Sequence, residues 1–193
     1  MTAEFRTSRG GAVLLAGFLA LTALLLLGCP AKRGSWSDGW YSQDLKLAGP
    51  TGQQELQLRY QPGRLGTAWQ EGTSPPGDIA YFNPELGATI YSDSSCGSRY
   101  DDAPLMVLLN HLLFGVTEVE MLREEEPTLS GRAALMRVAR ARLDGVPVQL
   151  AATVTKNGPC VFDLVYLSPP QSFAAGLDDY TVFYSGLAVE YRQ

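Results

Sequence analysis

The sequence predicts an α+β fold, a single twisted antiparallel β-sheet covered by two main helices. Three observations carry that expectation. Short alternating or β-branched runs bounded by Gly, Pro and Asn fill residues 55–96. Two stretches, near 105–113 and 173–187, repeat their apolar residues at helical spacing. Between them, further runs are joined by tight turns, which antiparallel neighbours accept and parallel ones do not. Strands and helices that cluster instead of alternating read as α+β.

Ahead of the fold stands "MTAEFRTSRGG", with Arg6 and Arg9, followed by an apolar run from Ala12 to Leu27. This is the charged and apolar order of a secretory signal. A helix over those 16 residues reaches roughly 24 Å, short of the ~30 Å hydrocarbon core, so a permanent span is the weaker reading. The run closes on Leu26-Leu27-Gly28-Cys29, which resembles the lipobox of bacterial lipoproteins. That resemblance implies cleavage of residues 1–28 and a diacylglyceryl, N-acylated (palmitate-type) Cys29. Acyl chains in that number hold a protein stably on a bilayer, where one chain does not.

Loss of residues 1–28 leaves 165 residues with 19 acids and 13 bases, a net charge of −6. One domain with a sizeable core fits that length. Nucleic acid is excluded as an expected partner, because phosphate binding needs a basic face. Residues 29–54, rich in Gly, Ser and polar residues, read as a lipidated tether, and 55–193 as the domain. Within the tether, Trp36, Trp40 and Tyr41 either dock on the domain or lie at lipid headgroups.

The domain opens with "ELQLRYQ", whose Leu56, Leu58 and Tyr60 share a face, then "TAWQEG", "DIAYFNP" and "LGATIYSDSSC" as further strands. A helix follows: Asp101 or Asp102 can cap it, Pro104 suits its first turn, and Leu105, Leu108, Leu109, Leu112 and Leu113 form one stripe before Gly115. Period two then returns in "VTEVEML", "GRAALMRVARARL" up to the hairpin signal Asp144-Gly145, "VPVQLAATVT" up to "KNGP", and "CVFDLVYLS". The closing segment, opened by a Ser172 cap, keeps Phe173, Leu177, Tyr180, Phe183, Tyr184 and Leu187 at helical spacing.

This order of elements, with the tryptophan of "GTAWQEG", "FNPELGATIYSDSS" leading into an apolar helix, and "YLSPPQSFAAGLDDYTVF" as strand into helix, resembles the PsbP-like fold over about residues 55–191. PsbP-like proteins comprise the extrinsic photosystem II subunit and bacterial relatives. The resemblance implies an α/β/α sandwich and carries no residue role over.

Two cysteines remain after lipidation, Cys96 and Cys160. A disulfide, two buried thiols and a metal pair are the alternatives; export to an oxidising compartment favours the disulfide. Closing a loop of about 60 residues would contribute about 4 kcal/mol.

Catalytic chemistry is hard to find. His111 sits on the apolar helix between Val107 and Phe114 and reads as a packing residue, since a triad needs a nucleophile and an acid that no motif announces. The acidic groups Asp101-Asp102, Glu124–Glu126 and Asp178-Asp179 fit no calcium loop. Arg132, Arg137, Arg140 and Arg142 lie on one strand, Arg140 and Arg142 on the same face and Arg137 on the other, placed to pair with Glu118, Glu120 and Glu124 of the strand before, the alternative being an anionic-ligand site. The expectation is a non-catalytic envelope lipoprotein, without cofactor or metal, that docks onto another envelope protein. The alternative is a small-ligand binder using a cleft between sheet and helix.

Overall fold

The structure, a computed structural model, describes residues 34–49, 52–72, 77–97, 100 and 102–193. The signal segment, Cys29 and Asp101 lie outside the described residues. In chain order the elements are β1 (Ser35–Ser37), β2 (Trp40–Gly49), β3 (Gly52–Gln61), β4 (Gln70–Glu71), β5 (Ile79–Asn83), β6 (Ala88–Cys96), α1 (Leu105–Leu112), β7 (Val116–Glu125), β8 (Thr128–Leu129), β9 (Arg132–Leu143), β10 (Val146–Asn157), β11 (Cys160–Ser168), α2 (Phe173–Ser185) and β12 (Ala188–Arg192).

Two sheets form, not the single sheet expected. The larger runs β4-β5-β6-β11-β10-β9-β7, with β8 paired to β9, and the smaller runs β1-β2-β3-β12. The physical reason lies in β3. Its residues find partners in two segments not read as strands, β2 on one side and β12 on the other, so β3 never joins β5.

β2 comes from the expected tether. Tyr41 and Leu45 are buried while Trp40, Asp44 and Lys46 are not, so a period-two alternation was hidden among polar residues. The compact unit accordingly runs from Gly34 to Gln193, not from residue 55.

β12 comes from the expected closing helix. α2 ends at Ser185, and after Gly186 the chain turns extended to pair Ala188–Arg192 with Gln61–Gln57. Leu187 is buried in the core all the same. Two other expectations also shift. Ser172 occupies the α2 cap position, but its hydroxyl donates to the Leu86 and Pro169 carbonyls and not into the helix. Of "TAWQEG" only Gln70–Glu71 is strand, because Trp69 turns inward and its Nε1 donates to Asp179 Oδ2 at 2.9 Å.

The meander β9-β10-β11 is as expected, each neighbour antiparallel. Asp144 and Gly145 both hold positive φ, +50° and +79°, the left-handed pair that a two-residue hairpin needs. The two faces of the large sheet have different covers. On one, Leu108 and Leu109 of α1 pack with Leu135, Ala139, Leu150, Val154, Val161 and Val165. On the other, α2 and the small sheet share the cover: Phe173, Tyr180 and Phe183 join Leu58 and Tyr60 over Met136, Phe162 and Leu164. Tyr60 bridges the sheets, its ring 5.1 Å edge-on from Phe162 and its hydroxyl donating to Asp78 Oδ2 at 2.9 Å. Asp78 also accepts from the Ser94 amide and hydroxyl, so this partly buried carboxylate is held by three donors.

Candidate docking face

The cysteines Cys96 and Cys160 face each other across β6 and β11 and form a disulfide, with Cα atoms 4.0 Å apart. The bond joins the outer hairpin β5-β6 to the meander. It is structural in position: Cys160 is buried among the core side chains between the sheets.

The arginine strand pairs as its sequence suggests. Arg142 Nε lies 2.8 Å from Glu118, Arg140 Nη1 3.7 Å from Glu120, and Arg137 Nε 2.5 Å from Glu124. Arg137 does more than pair. It also donates to Asn110 Oδ1 at 2.6 Å and touches Met106 Sδ, both on α1, so one guanidinium ties helix, edge strand and sheet together. Glu118 holds φ +52° at the first of two register shifts in β7. The bulges twist this edge strand and blunt it against uncontrolled pairing.

Above these charges runs an apolar strip. α1 turns Leu108 and Leu109 to the sheet and leaves Met106 and Val107 exposed; Phe114, just past its end, is 80% exposed. Register continues the strip: Val116 lies opposite Leu143 and Leu143 opposite Val146, and the latter two are exposed. Val119 and Met121 of β7, whose residues are nearly all exposed, are exposed apolar side chains on the adjoining edge strand. At the Met106 end a groove of about 330 Å³ opens among Leu105, Pro127, Ala134 and Leu135. Scattered exposed apolar residues are ordinary; several gathered on one helix end and the strands beside it are less so.

His111 is exposed, not packed as expected, with its ring 5.6 Å from that of Phe114. It lines a cleft of about 240 Å³ between α1 and the sheet together with Ser95, Tyr100, Leu108, Val161 and Asp163. Burial first, and the Asp93 charge second, push the Asp163 carboxyl up from 3.8 to about 7. Asp163 was readable only as one acid inside the apolar run "CVFDLVYLS"; nothing in that run says which face it takes. Among the described residues no three His, Cys, Asp or Glu side chains gather as metal ligands would.

Fold and surface together define a class: a mostly antiparallel, two-sheet α+β domain with exposed apolar side chains on α1 and on the strands beside it. No family model matches the chain, and no curated protein matches it. Among solved structures, LpqN, involved in cell envelope biogenesis of Mycobacterium tuberculosis, aligns with a TM-score of 0.52 at 14% identity over 79% of this chain and 92% of its own. The cyanobacterial PsbP protein CyanoP from Synechocystis sp. PCC 6803 aligns at 0.48, with 13% identity over 86% and 99%. A PsbP-like neighbour of the kind the sequence suggested is thus present at low identity. What the chain shares with LpqN is the fold.

Proposed function

We propose that this chain is a lipid-anchored accessory subunit of the bacterial envelope, without catalysis of its own, that docks through the α1–β7 strip onto an envelope protein. The single observation that carries the reading is the strip itself, with Phe114 at 80% exposure on an otherwise well-packed domain. Anchoring through a lipidated Cys29 after loss of residues 1–28 would confine the domain to the membrane surface and raise its effective concentration near membrane partners. The domain then faces the periplasm. Pro30, where an aspartate would favour inner-membrane retention in enterobacteria, tilts the assignment to the outer membrane. An envelope location is compatible with the described residues, which hold no helix long and apolar enough to cross a membrane.

The occupant of the strip is a protein and not the bilayer. Residues 34–193 carry 19 acids and 11 bases, a net charge of −8, which anionic headgroups repel. Glu118, Glu120 and Glu124 of β7 are already paired with Arg142, Arg140 and Arg137, so what the strip offers a partner is its apolar side chains. The ligand-binding alternative draws on the clefts beside α1. At about 240 and 330 Å³ they stand below or at the foot of the usual 300–1,000 Å³ range for small-molecule sites, which favours docking.

The test joins intact mass spectrometry of membrane-extracted protein with photo-crosslinkers placed at positions 114, 121 and 44. A chain starting at triacylated Cys29, and one discrete protein adduct from 114 and 121 but not 44, supports the reading. A chain retaining residues 1–28, or equal adducts from all three positions, overturns it.

A further inference from the structure

In the middle of β11 sits Asp163, and its Cα partner on β6 is Asp93. Directly opposed residues of antiparallel strands hold their Cβ atoms about 4.5–5.5 Å apart, so two ionised carboxylates there repel at short range. Alternation puts both on the face that α1 covers: Val161 and Val165, two residues either side of Asp163, pack with Leu108 and Leu109. Asp163 Oδ1 is sealed from solvent and meets no donor. The opposite neighbour on β10, Val154, is buried and offers none.

Every element around this pair contributes to its surroundings. β6 adds Tyr91, whose hydroxyl is also pushed up, by burial first and then by Asp163 and Asp93. β10 places Lys156 on the same face by alternation, opposite Val161. Tyr100 and His111 line the cleft from the segment before α1 and from α1 itself. The charge that acts on Asp163 is that of Asp93, of its own sign.

We propose that Asp163, held across the strands from Asp93, keeps its proton and acts as a latch beneath α1. With the proton in place, the seam between helix and sheet closes over a neutral carboxyl and a single charge. When the proton leaves to solvent through the cleft, two like charges face Leu108 and Leu112, and α1 loosens. The latch stands on the register, the cleft and the sealed Asp163 oxygen, and does not depend on docking. Its consequence for docking, that loss of the proton disorders the helix presenting Met106 and Val107, rests on the proposed function.

The sign follows from burial. Asp163 has its folded value raised to about 7 from 3.8, so its stabilising contribution is complete below the unfolded value and is lost as pH rises through the folded one. One proton changes the opening equilibrium at most about tenfold per pH unit. The experiment is hydrogen exchange of the full chain at pH 6 and pH 8, corrected for intrinsic rates and read at the amides of Leu105–Leu112. The expected result is faster opening at pH 8 by about tenfold, removed in Asp163→Asn and retained in His111→Gln. Should Asp163→Asn fail to fold, Asp93→Asn moves the transition to lower pH by removing the neighbouring charge. Equal exchange at both pH values, loss of the effect in His111→Gln, or an unmoved transition in Asp93→Asn overturns the latch. Crosslinking from position 114 at the same two pH values separates the readings: no adduct at either pH, with the exchange change intact, sinks docking and leaves the latch standing.

Discussion

Gly63 and Gly186 meet without side chains where the loop after β3 crosses the end of α2. A Cβ on Gly63 would lie 2.0 Å from the Val182 carbonyl oxygen, and one on Gly186 would lie 2.5 Å from Gly63 Cα. The contact is sealed by the Gly63 amide, which donates to the Phe183 carbonyl at 2.8 Å. This crossing lets the chain leave the small sheet and return to it as β12.

Gly63→Ala therefore forces a backbone shift, because the obstacle is a carbonyl and not a flexible side chain. The expected cost is about 1–3 kcal/mol, read as a lower urea midpoint with an unchanged slope. Gly66→Ala, whose added Cβ meets nothing within 4 Å, serves as the control and leaves the midpoint near wild type.

Tyr60 is a polar tie between the sheets, donating to Asp78 beneath a buried ring. Tyr60→Phe keeps the ring contact with Phe162 and removes one of the three donors holding Asp78. Thermal and chemical unfolding should show a loss of about 1.5–3 kcal/mol, the range for a hydrogen bond to a charged group.

Reducing the Cys96–Cys160 bond frees a loop closed across 64 positions. On the chain-entropy estimate the loss is about 4 kcal/mol. Denaturation with and without reductant measures it, and uptake of an alkylating reagent before reduction would show that the bond is not formed.

The paired arginines differ in weight. Arg142 is substantially exposed, so Arg142→Ala should change stability by less than about 1 kcal/mol and vanish into salt screening. Arg137 has a side chain only 13% exposed and holds Glu124, Asn110 and Met106 at once. Arg137→Ala should cost more, about 1.5–3 kcal/mol, and persist in high salt.

Hairpin chemistry and apolar period were readable at the level of single residues. Asp144-Gly145 announced its turn, and Leu108 and Leu109 announced the buried side of α1. The same dipeptide, Asp38-Gly39, with φ +52° and +78°, joins β1 to β2, yet the Gly- and Ser-rich surroundings hid it. Leu187 satisfied a helical pattern and is buried, but it lies just past Gly186 in a turn to β12. Apolar spacing reports which residues seek the core, not whether the backbone reaches it as helix or strand.

By itself the sequence determined the antiparallel meander, the two helices, the pairing of Arg137, Arg140 and Arg142 with the acids of β7, and the candidate pair Cys96 and Cys160. All of these depend on residues near one another in the chain or on a two-residue alternation. Tertiary structure alone decided that β3 pairs with β2 and β12 in a second sheet, that Gly63 must pass Gly186, and that Asp163 faces Asp93 under α1. Those depend on which distant backbones satisfy each other's hydrogen bonds. Residue spacing along a chain does not encode that choice, because any strand of the right pattern offers the same donors and acceptors.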